Sequence, residues 1–197
     1  MLAIILGLTA AYALRSGNSF ARGAIRLVQA GYAVPGAVAA IAILSALVIA
    51  QMMVSGMTGS TTIALTGGSI VALLIAYQSR FAAVAILPSE AALMKVRREL
   101  DEAARSLGAS PMRVVTQIHL PLVLTGLATA GLLVAIEVMK ELPATMILRP
   151  FSLDTLAVTA HSYASDERLA QAAFPALILI AICIPATALL NLVRPDR

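Results

Sequence analysis

Long stretches without a charged side chain alternate with short polar segments along this chain. The 53 positions from 27 to 79 carry no formal charge, which is too long for one membrane-spanning helix, since such a helix needs about 20 apolar residues. Turn-forming residues are concentrated at 55–60 and divide this stretch. The pattern therefore predicts one spanning helix over 33–54 and a second over 61–78.

Three further apolar stretches complete the pattern. Those at 120–138 and 172–193 are each long enough to span a bilayer. The stretch at 1–14 is shorter, ends at Arg15 and lacks the basic start of a signal peptide. We interpret it as the last part of a spanning helix whose beginning is missing; a short, tilted or interfacial helix is the alternative. The expected fold class is an all-α, polytopic transmembrane helix bundle of about five spans, the first incomplete.

The composition supports a membrane location. Hydrophobic residues make up 60% of the chain and charged residues 12%, and that charged share is about half of what a soluble domain carries. Few aromatic residues and no alternation of apolar with polar positions exclude an outer-membrane barrel. The net charge of +4 is assigned to cytoplasmic loops rather than to nucleic-acid binding. The single cysteine, Cys183, lies in an apolar run and is interpreted as a small hydrophobic residue.

The distribution of Lys and Arg predicts the orientation. If the polar segment at 80–119 is cytoplasmic, eleven basic residues fall on the inside and three on the outside, which is the positive-inside bias of membrane proteins. The inside set consists of Arg15, Arg22, Arg26, Arg80, Lys95, Arg97, Arg98, Arg105, Arg113, Arg194 and Arg197, and the outside set of Lys140, Arg149 and Arg168. The C-terminus is therefore expected in the cytoplasm.

The segment at 88–121 is too polar to span. Pro88-Ser89-Glu90 predicts the start of a helix with Ser89 as its N-cap. An apolar stripe at spacings of three and four follows, opposite a charged face; it consists of Leu93, Val96, Leu100, Ala104 and Leu107. Gly108 is placed to end this helix, and Ser110-Pro111 to start another. The sequence therefore predicts a helix, a sharp turn and a second helix that reaches Leu120-Pro121.

The same segment resembles a signature of ABC importer permeases. The pattern Glu-Ala-Ala, three residues, Gly, nine residues, Ile, one residue, Leu-Pro is matched at every specified position, namely Glu102, Ala103, Ala104, Gly108, Ile118, Leu120 and Pro121. In that family this EAA loop is the coupling helix, which docks on a separate ATPase subunit. The resemblance implies that residues 102–108, including Arg105 and Leu107, form the docking surface. It also implies that Gly108 makes the bend and that residues 118–121 attach the loop to the next span.

The chain contains no Walker A pattern, Gly-x-x-x-x-Gly-Lys-[Ser/Thr], and no catalytic constellation within a span. These absences argue against an enzyme. The resemblance to ABC importer permeases implies a transport subunit of the bacterial inner membrane. The implied partners are ATPase subunits that bind ATP, an extracytoplasmic substrate-binding protein, and a second permease half in the lipid bilayer. No cofactor is expected on this chain, and no nucleic acid.

Three further stretches resemble the iron(III) permeases of that family: residues 31–36, 140–151 and 163–169. Such permeases often carry two homologous halves in one chain, and this sequence is similar to the C-terminal half. We expect one membrane domain over 1–197, with the cytoplasmic loop at 88–121 and an outer loop at 140–171. The resemblance of residues 140–151 implies ferric iron as the substrate; an importer for thiamine, a polyamine, sulfate or molybdate is the alternative, since the EAA signature does not separate these. An ATP-independent carrier and an inactive fragment are two competing hypotheses.

Ionisable residues at the outer end of the fourth span are the candidate lining of a substrate path. Glu137, Lys140 and Glu141 lie where charged groups are costly unless they face a cavity or a partner; an interfacial position on the first exposed turn is the alternative. The outer loop contains oxygen and nitrogen donors, but their spacing matches no metal-ligand template, so no metal site is expected. A short surface helix is expected over 155–164. His119 has no assigned role.

Overall fold

The computed structural model describes residues 2–15, 19–58 and 68–193, and every regular element in these ranges is helical. The helices are α1 (Leu2–Arg15), α2 (Ser19–Ala30), α3 (Gly36–Thr58), α4 (Ile70–Met94), α5 (Arg98–Ser106), α6 (Pro111–Val114), α7 (Leu120–Met139), α8 (Pro143–Leu148), α9 (Leu156–Ser165) and α10 (Leu169–Val193). A 3₁₀ turn at Gly31–Ala33 follows α2, and a π-helical turn at Val115–His119 joins α6 to α7.

Four helical stretches in the described ranges are long and apolar enough to cross a membrane. They are Gly36–Met57, Ile70–Met94, Pro111–Met139 and Leu169–Leu190. The short apolar helix α1 accompanies them. This arrangement confirms the expected all-α transmembrane bundle.

Helix α4 is the centre of the bundle, because α1, α2, α3, α7 and α8 all pack against it. Small residues bring the neighbouring backbones close. A Cβ added at Gly7 of α1 would lie 2.8 Å from the carbonyl oxygen of Ala85, and one added at Gly126 of α7 would lie 2.3 Å from the Cβ of Ala92. Such contacts drive helix association in a bilayer, where lipid tails are as apolar as the helix surfaces and close packing provides the attraction.

The apolar pattern does not predict α2, which is amphipathic. Its Ile25 is buried in an apolar crevice against α1 and α4, while its charged residues are exposed. The chain then breaks next to α4, where a Cβ added at Gly31 would lie 2.6 Å from the carbonyl oxygen of Ser79. Pro35 keeps α2 and α3 apart, because it provides no N–H and disfavours helical geometry at Val34.

Helix α3 continues beyond the break along the other half of α4. Its Ala40 is buried in one apolar cluster with Ala72 and Ala76, which belong to the N-terminal half of α4. The helix α2 lies beside the C-terminal half, against Ala82 and Ile86. The predicted span over 33–54 is therefore observed as Gly36–Thr58, preceded by a helix that the sequence pattern did not reveal.

The predicted start of the third span is wrong in the part of the chain that is described. Helix α4 begins at Ile70, and Ser69 caps it by accepting a hydrogen bond from the N–H of Val71 at 3.2 Å. Positions 59–67, which include most of the predicted turn and the first predicted residues of this span, lie outside the described ranges.

The polar segment begins later than predicted. Pro88-Ser89-Glu90 does not start a helix but lies inside α4, where the buried Ser89 hydroxyl donates to the carbonyl oxygen of Ala85 at 2.7 Å. A proline is tolerated within a spanning helix because neighbouring groups satisfy the freed backbone atoms. Arg80 likewise belongs to the interior of α4 and not to a loop. Helix α4 ends at Met94, so the polar segment begins after that residue.

The part of the chain after α8 contains the surface helix that the sequence predicts. Helix α9 starts after Thr155, whose hydroxyl accepts a hydrogen bond from the N–H of Val158 at 3.3 Å, and the helix packs against α10. Helix α8 packs against α3 and α4. Residues 140–148 are therefore part of the bundle and not a free outer loop.

Candidate functional site

The turn after α5 has the geometry of a glycine cap. Gly108 has a φ of +79°, which residues with a side chain rarely adopt. Its N–H donates to the carbonyl oxygen of Arg105 at 2.9 Å, and the N–H of Ala109 donates to that of Ala104 at 3.0 Å. This pair of hydrogen bonds closes the end of the helix in the manner of a glycine C-cap. The predicted sharp turn at Gly108 is thus present.

The second helix of the polar segment runs directly into the fourth span. Ser110 caps α6 by accepting a hydrogen bond from the N–H of Arg113 at 3.4 Å, and Pro111–Met139 is one continuous helical stretch. The π-helical turn lies just before Pro121, which has no N–H for the carbonyl of Gln117 and would clash with it in a regular helix. The helix that begins at Pro111, shortly after the turn at Gly108, therefore continues without a break into α7.

Apolar side chains are exposed on both sides of the turn at Gly108. Leu107 is 89% exposed and Met112 is 70% exposed. Large apolar side chains left exposed among polar ones are typical of a surface that binds a partner. We call the exposed residues around this turn the tip surface; they are Glu102, Ala103, Arg105, Leu107, Gly108 and Met112.

The apolar positions of the polar segment do not form the single stripe that the sequence predicts. The helix breaks between α4 and α5, and Leu100 is exposed on the far side of that break. Ala104 is buried, so only Glu102 and Ala103 of the Glu-Ala-Ala triplet lie on the tip surface. At the other end of the signature, Ile118 is half-buried, and Leu120 and Pro121 are exposed where α7 begins.

Asp101 connects α5 to the membrane helices. Its Oδ2 lies 2.9 Å from Nη2 of Arg15 in α1, and its Oδ1 lies 2.5 Å from Nε2 of His119. The other ring nitrogen of His119, Nδ1, lies 2.5 Å from the hydroxyl oxygen of Tyr12. Partial burial raises the pKa of the Asp101 carboxyl, but the hydrogen bonds from His119 and Arg15 outweigh it and hold that pKa below the ordinary value.

Arg15 extends this network to the end of α4. Its Nη1 donates to the carbonyl oxygens of Leu93 and Val96, each at 2.9 Å. We call Tyr12, Arg15, Asp101 and His119 the α5 anchor. Sequence reasoning missed the α5 anchor, because its residues are up to 107 positions apart and no spacing rule brings them together. The available signal was His119, an ionisable residue at the very edge of an apolar span.

A second buried ion pair joins α4 to the residues after α7. Arg80 Nη1 contacts Glu141 Oε2, and the two side chains are 14% and 8% exposed. Glu141 Oε1 also accepts a hydrogen bond from the N–H of Ala144 at 3.1 Å, and a Cβ added at Gly36 would lie 2.6 Å from that oxygen. Glu141, predicted to line a substrate path, is therefore enclosed by α3, α4 and α8 and does not face open space.

Glu137 and Lys140, the other two predicted path residues, have a more open environment. Lys140 Nζ lies 2.6 Å from Glu137 Oε1, and the Tyr32 hydroxyl donates to Glu137 Oε2 at 3.3 Å. The hydrogen bond to Glu137 raises the pKa of the Lys140 ammonium, so this residue stays charged. The structure adds Tyr32, which sequence reasoning did not single out.

Glu137 also lines a groove between α2 and α7, which we call the α2–α7 groove. Its volume is about 380 Å³, and α4 forms its floor. The lining residues are Gln29 and Tyr32 on one wall, Ala83, Val84, Leu87 and Pro88 on the floor, and Leu133 and Glu137 on the other wall. A polar residue on each wall above an apolar floor is an arrangement that ligand-binding clefts share.

The oxygen and nitrogen donors between α8 and α10 do not converge on one site. Asp154 forms an ion pair with Arg149, and the guanidinium of Arg168 lies over the ring of Tyr163, 4.9 Å from its centroid. Within the described ranges, no three His, Cys, Asp or Glu residues are grouped so as to hold a metal ion. The absence of a metal site on the whole chain stays a prediction.

Comparison with known proteins identifies the relatives of this fold. The family model for the binding-protein-dependent transport system inner membrane component matches residues 3–197. The chain is 32% identical over 108 residues to the Fe(3+)-transport system permease protein FbpB 2 of Haemophilus influenzae. That alignment covers 55% of this chain and 21% of the relative. It is also 32% identical over 92 residues to the putative 2-aminoethylphosphonate transport system permease protein PhnV of Salmonella typhimurium. That alignment covers 47% of this chain and 35% of the relative.

A solved structure shares the fold along almost the whole chain. It is a chain from the inward-facing MetNI methionine ABC transporter, with a TM-score of 0.67. The alignment covers 99% of this chain and 88% of that chain at 16% sequence identity. At that identity the likeness concerns the fold alone.

Proposed function

We infer how this chain works from the family to which it belongs. That family is the binding-protein-dependent transport system inner membrane component, the permease of ABC importers. As a member it is a multi-pass protein of the inner membrane and a transport subunit, and we propose that 1–197 acts as one permease domain. We further propose that a separate ATPase, which binds and hydrolyses ATP, docks on the tip surface and drives translocation through the α5 anchor.

The observation that carries this proposal is the combination of an exposed tip surface with partly buried ion pairs behind it. Leu107 and Met112 leave apolar area uncovered at the end of the polar segment. Behind them, Asp101 is bonded to Arg15 of α1 and to His119 at the base of α7. A partner that pulls on the tip surface thus acts on α1 and α7 together, and through Arg15 on the end of α4.

The pull has a mechanical consequence for the substrate path. Helix α7 carries Glu137 at its other end, on a wall of the α2–α7 groove. Tilting α7 against α4 changes the width of that groove, because α4 forms its floor. Packed helices move as whole bodies against each other, so a small displacement at the tip surface opens or closes the path.

We propose ferric iron as the substrate. The support is the resemblance of residues 140–151 to iron(III) permeases and the 32% identity to the Haemophilus influenzae relative. A second candidate is a phosphonate, because the Salmonella typhimurium relative is named for 2-aminoethylphosphonate transport at the same 32% identity. A substrate-binding protein on the outer side would deliver either substrate.

We propose that the C-terminus lies in the cytoplasm. Three residues are removed from the eleven that the sequence places on the inside. Arg80 pairs with Glu141 within the bundle, and Arg22 and Arg26 lie on α2 beside α4. The remaining eight inside residues still outnumber the three outside ones. The helices α3 and α10 are only 6% buried along their spanning windows, which leaves their apolar surfaces for lipid and for a second permease half.

Co-purification from the native host tests the proposed function. The tagged chain is extracted in mild detergent, and the proteins that accompany it are identified by mass spectrometry. We expect an ATPase with a Walker A loop, lost in Leu107→Asp and Gly108→Asp but retained in the control Phe151→Asp, since Phe151 is 98% exposed in the outer region. Recovery of well-inserted chain without any ATPase would contradict the proposal and favour an ATP-independent carrier or an inactive fragment.

A further inference from the structure

A cavity of about 400 Å³ lies where the end of α1, the end of α4 and the start of α5 meet. Helix α4 is a candidate membrane span and ends at Met94, so the cavity lies at the level where that span leaves the bilayer. We call it the arginine cavity; its lining includes the apolar residues Leu14, Leu93 and Met94 and the basic residues Arg15, Arg97 and Arg98.

The apolar part of this lining is not covered by the rest of the bundle. Met94 is 77% exposed at the end of α4, and Leu14 is half-buried on the last turn of α1. At the end of a span, uncovered apolar side chains lie against lipid tails, while long basic side chains extend to the headgroup level. The arginine cavity thus combines the two surfaces that a lipid molecule needs.

The charge around the cavity is positive when every ionisable group is counted. Glu90 also lines the cavity, and Asp101 is bonded to Arg15. From position 90 to position 101, together with Arg15, four cations stand against three carboxylates, which leaves a net charge of +1. The cations are Arg15, Lys95, Arg97 and Arg98, and the carboxylates are Glu90, Glu99 and Asp101.

Two of the three arginines are available to a further anion. Within the described ranges, no carboxylate lies within ion-pair distance of Arg98, whose Nη2 donates to the carbonyl oxygen of Arg15 at 3.4 Å. Arg97 pairs with Glu99 at 3.3 Å, but the two side chains are 78% and 68% exposed, and such pairs are weak. Arg97 also precedes the first turn of α5 without a side-chain cap, which adds the positive end of that helix.

We propose that the arginine cavity binds the headgroup of an anionic phospholipid such as phosphatidylglycerol. The guanidinium groups of Arg97 and Arg98 hold the phosphate through paired N–H donors, and the lipid tails lie against Leu14 and Met94. Basic pockets between helices at the membrane face bind such headgroups. Arg15 belongs to the α5 anchor, so the bound headgroup lies beside the junction of α1 with α5. The proposal does not depend on the docking of an ATPase.

Native mass spectrometry of the purified chain in detergent tests this site. The chain is mixed with phosphatidylglycerol or with phosphatidylcholine of the same acyl chains, and the lipid-bound fraction is measured over a concentration series. The variants are Arg98→Gln, Arg97→Gln/Arg98→Gln and Arg97→Lys/Arg98→Lys. The matched control is Arg113→Gln, which removes an exposed arginine of α6 that does not line the cavity. The unfolding midpoint of each variant is measured without added lipid, so that a loss of fold is recognised.

We expect the wild type to prefer phosphatidylglycerol over phosphatidylcholine by about tenfold or more. The affinity for phosphatidylglycerol should fall about fivefold in Arg98→Gln and further in Arg97→Gln/Arg98→Gln, since each basic residue near an anionic headgroup contributes about that factor. The lysine variant should keep the preference because it keeps both charges, and Arg113→Gln should match the wild type. Equal affinity for the two lipids, or an unchanged preference in Arg97→Gln/Arg98→Gln, would overturn the proposal.

Two further measurements separate a lipid from other occupants of the cavity. Inorganic phosphate at the concentration of the lipid should not displace phosphatidylglycerol, because it lacks the tails; displacement would overturn the assignment to a lipid. Loss of the ATPase from Arg97→Gln/Arg98→Gln in co-purification, with an unchanged lipid preference, would assign the cavity to a protein interface and also overturn it. Absence of an ATPase from the wild type would instead contradict the proposed function and leave the lipid result in force.

Discussion

The imidazole Nε2 of His119 lies 2.5 Å from Oδ1 of Asp101, across 18 positions of sequence and across the turn at Gly108. The two residues belong to opposite arms of the polar segment, so this contact closes the helix–turn–helix onto itself behind the tip surface. The same carboxylate reaches Arg15 of α1 through its other oxygen. Asp101 is thus the point at which the polar segment, α1 and the base of α7 are joined.

Replacing Asp101 by Asn is expected to destabilise the protein. The amide lacks the charge that both His119 and Arg15 approach, and hydrogen bonds to charged groups contribute about 1.5–3 kcal/mol each. Thermal unfolding in detergent should show a lower midpoint for Asp101→Asn than for the wild type. The matched control is Glu99→Gln, because Glu99 is 68% exposed and its ion pair with Arg97 lies at the surface. Equal midpoints for the two variants would contradict the role of Asp101.

The stabilisation by Asp101 should depend on pH in one direction. Its pKa is held below the ordinary value of 3.8 by His119 and Arg15, against the effect of partial burial. The folded state therefore gains stability from the ionised carboxylate above the ordinary pKa and loses that gain as the pH falls through the lower, folded-state pKa. The difference in stability between the wild type and Asp101→Asn should shrink as the pH falls below about 4. A difference that grows below about pH 4 would contradict this assignment.

The pair of Arg80 and Glu141 should behave as one unit. Removing one partner leaves an uncompensated charge among α3, α4 and α8, which costs about 3–5 kcal/mol in buried pairs. Arg80→Gln and Glu141→Gln should each lower the unfolding midpoint strongly. The double variant Arg80→Gln/Glu141→Gln should lose less than the two single effects combined, because no charge is left unpaired. Additive losses would show that the two side chains stabilise the protein independently.

Substitution of Gly108 separates folding from coupling. An added Cβ meets no atom within 4 Å, so the cost of a substitution comes from the positive φ of 79°. That cost is about 1–2 kcal/mol for an ordinary residue and less for Asn or Asp. Gly108→Asp should therefore insert normally but abolish transport, because it places a charge on the tip surface. Gly108→Asn has nearly the same shape without the charge and should retain most of the uptake. Full uptake by Gly108→Asp would count against a docking role for this turn.

Local rules predicted the apolar spans and the turn within the polar segment, because their signals lie within a few residues, but they misplaced the boundaries between the third span and the polar segment. The cap at Gly108, the start of α6 at Ser110 and the helix after Thr155 all follow from short motifs. The same rules failed at Pro88 and Ser89, which have the composition of a helix start. Within a bilayer, packing against neighbouring helices allows a proline inside a span. The same motif can therefore lie in the middle of a spanning helix as well as at a helix start.

The site was only partly predictable, because its chemistry depends on pairing over long sequence distances. Glu137 and Lys140 were singled out as candidate path residues by their charge at the end of an apolar span, but the same argument could not distinguish them from Glu141. The difference arises from Arg80, 61 positions earlier, which encloses Glu141 and leaves the other two at the groove. Tyr12 and Arg15 carry no local signal at all, since their partners lie in α5 and at the base of α7.

Site-specific crosslinking tests the docking of a separate ATPase on the tip surface most directly. In the Cys183→Ala background, Leu107→Cys and Phe151→Cys each place one reactive thiol at an exposed site, 89% exposed in the first case and 98% in the second. A thiol-to-amine crosslinker is applied to native membranes, and the adducts are identified by mass spectrometry. We expect an ATPase adduct at position 107 and none at position 151. Well-inserted protein that gives no ATPase adduct at position 107, or gives it equally at both positions, would contradict docking on the tip surface.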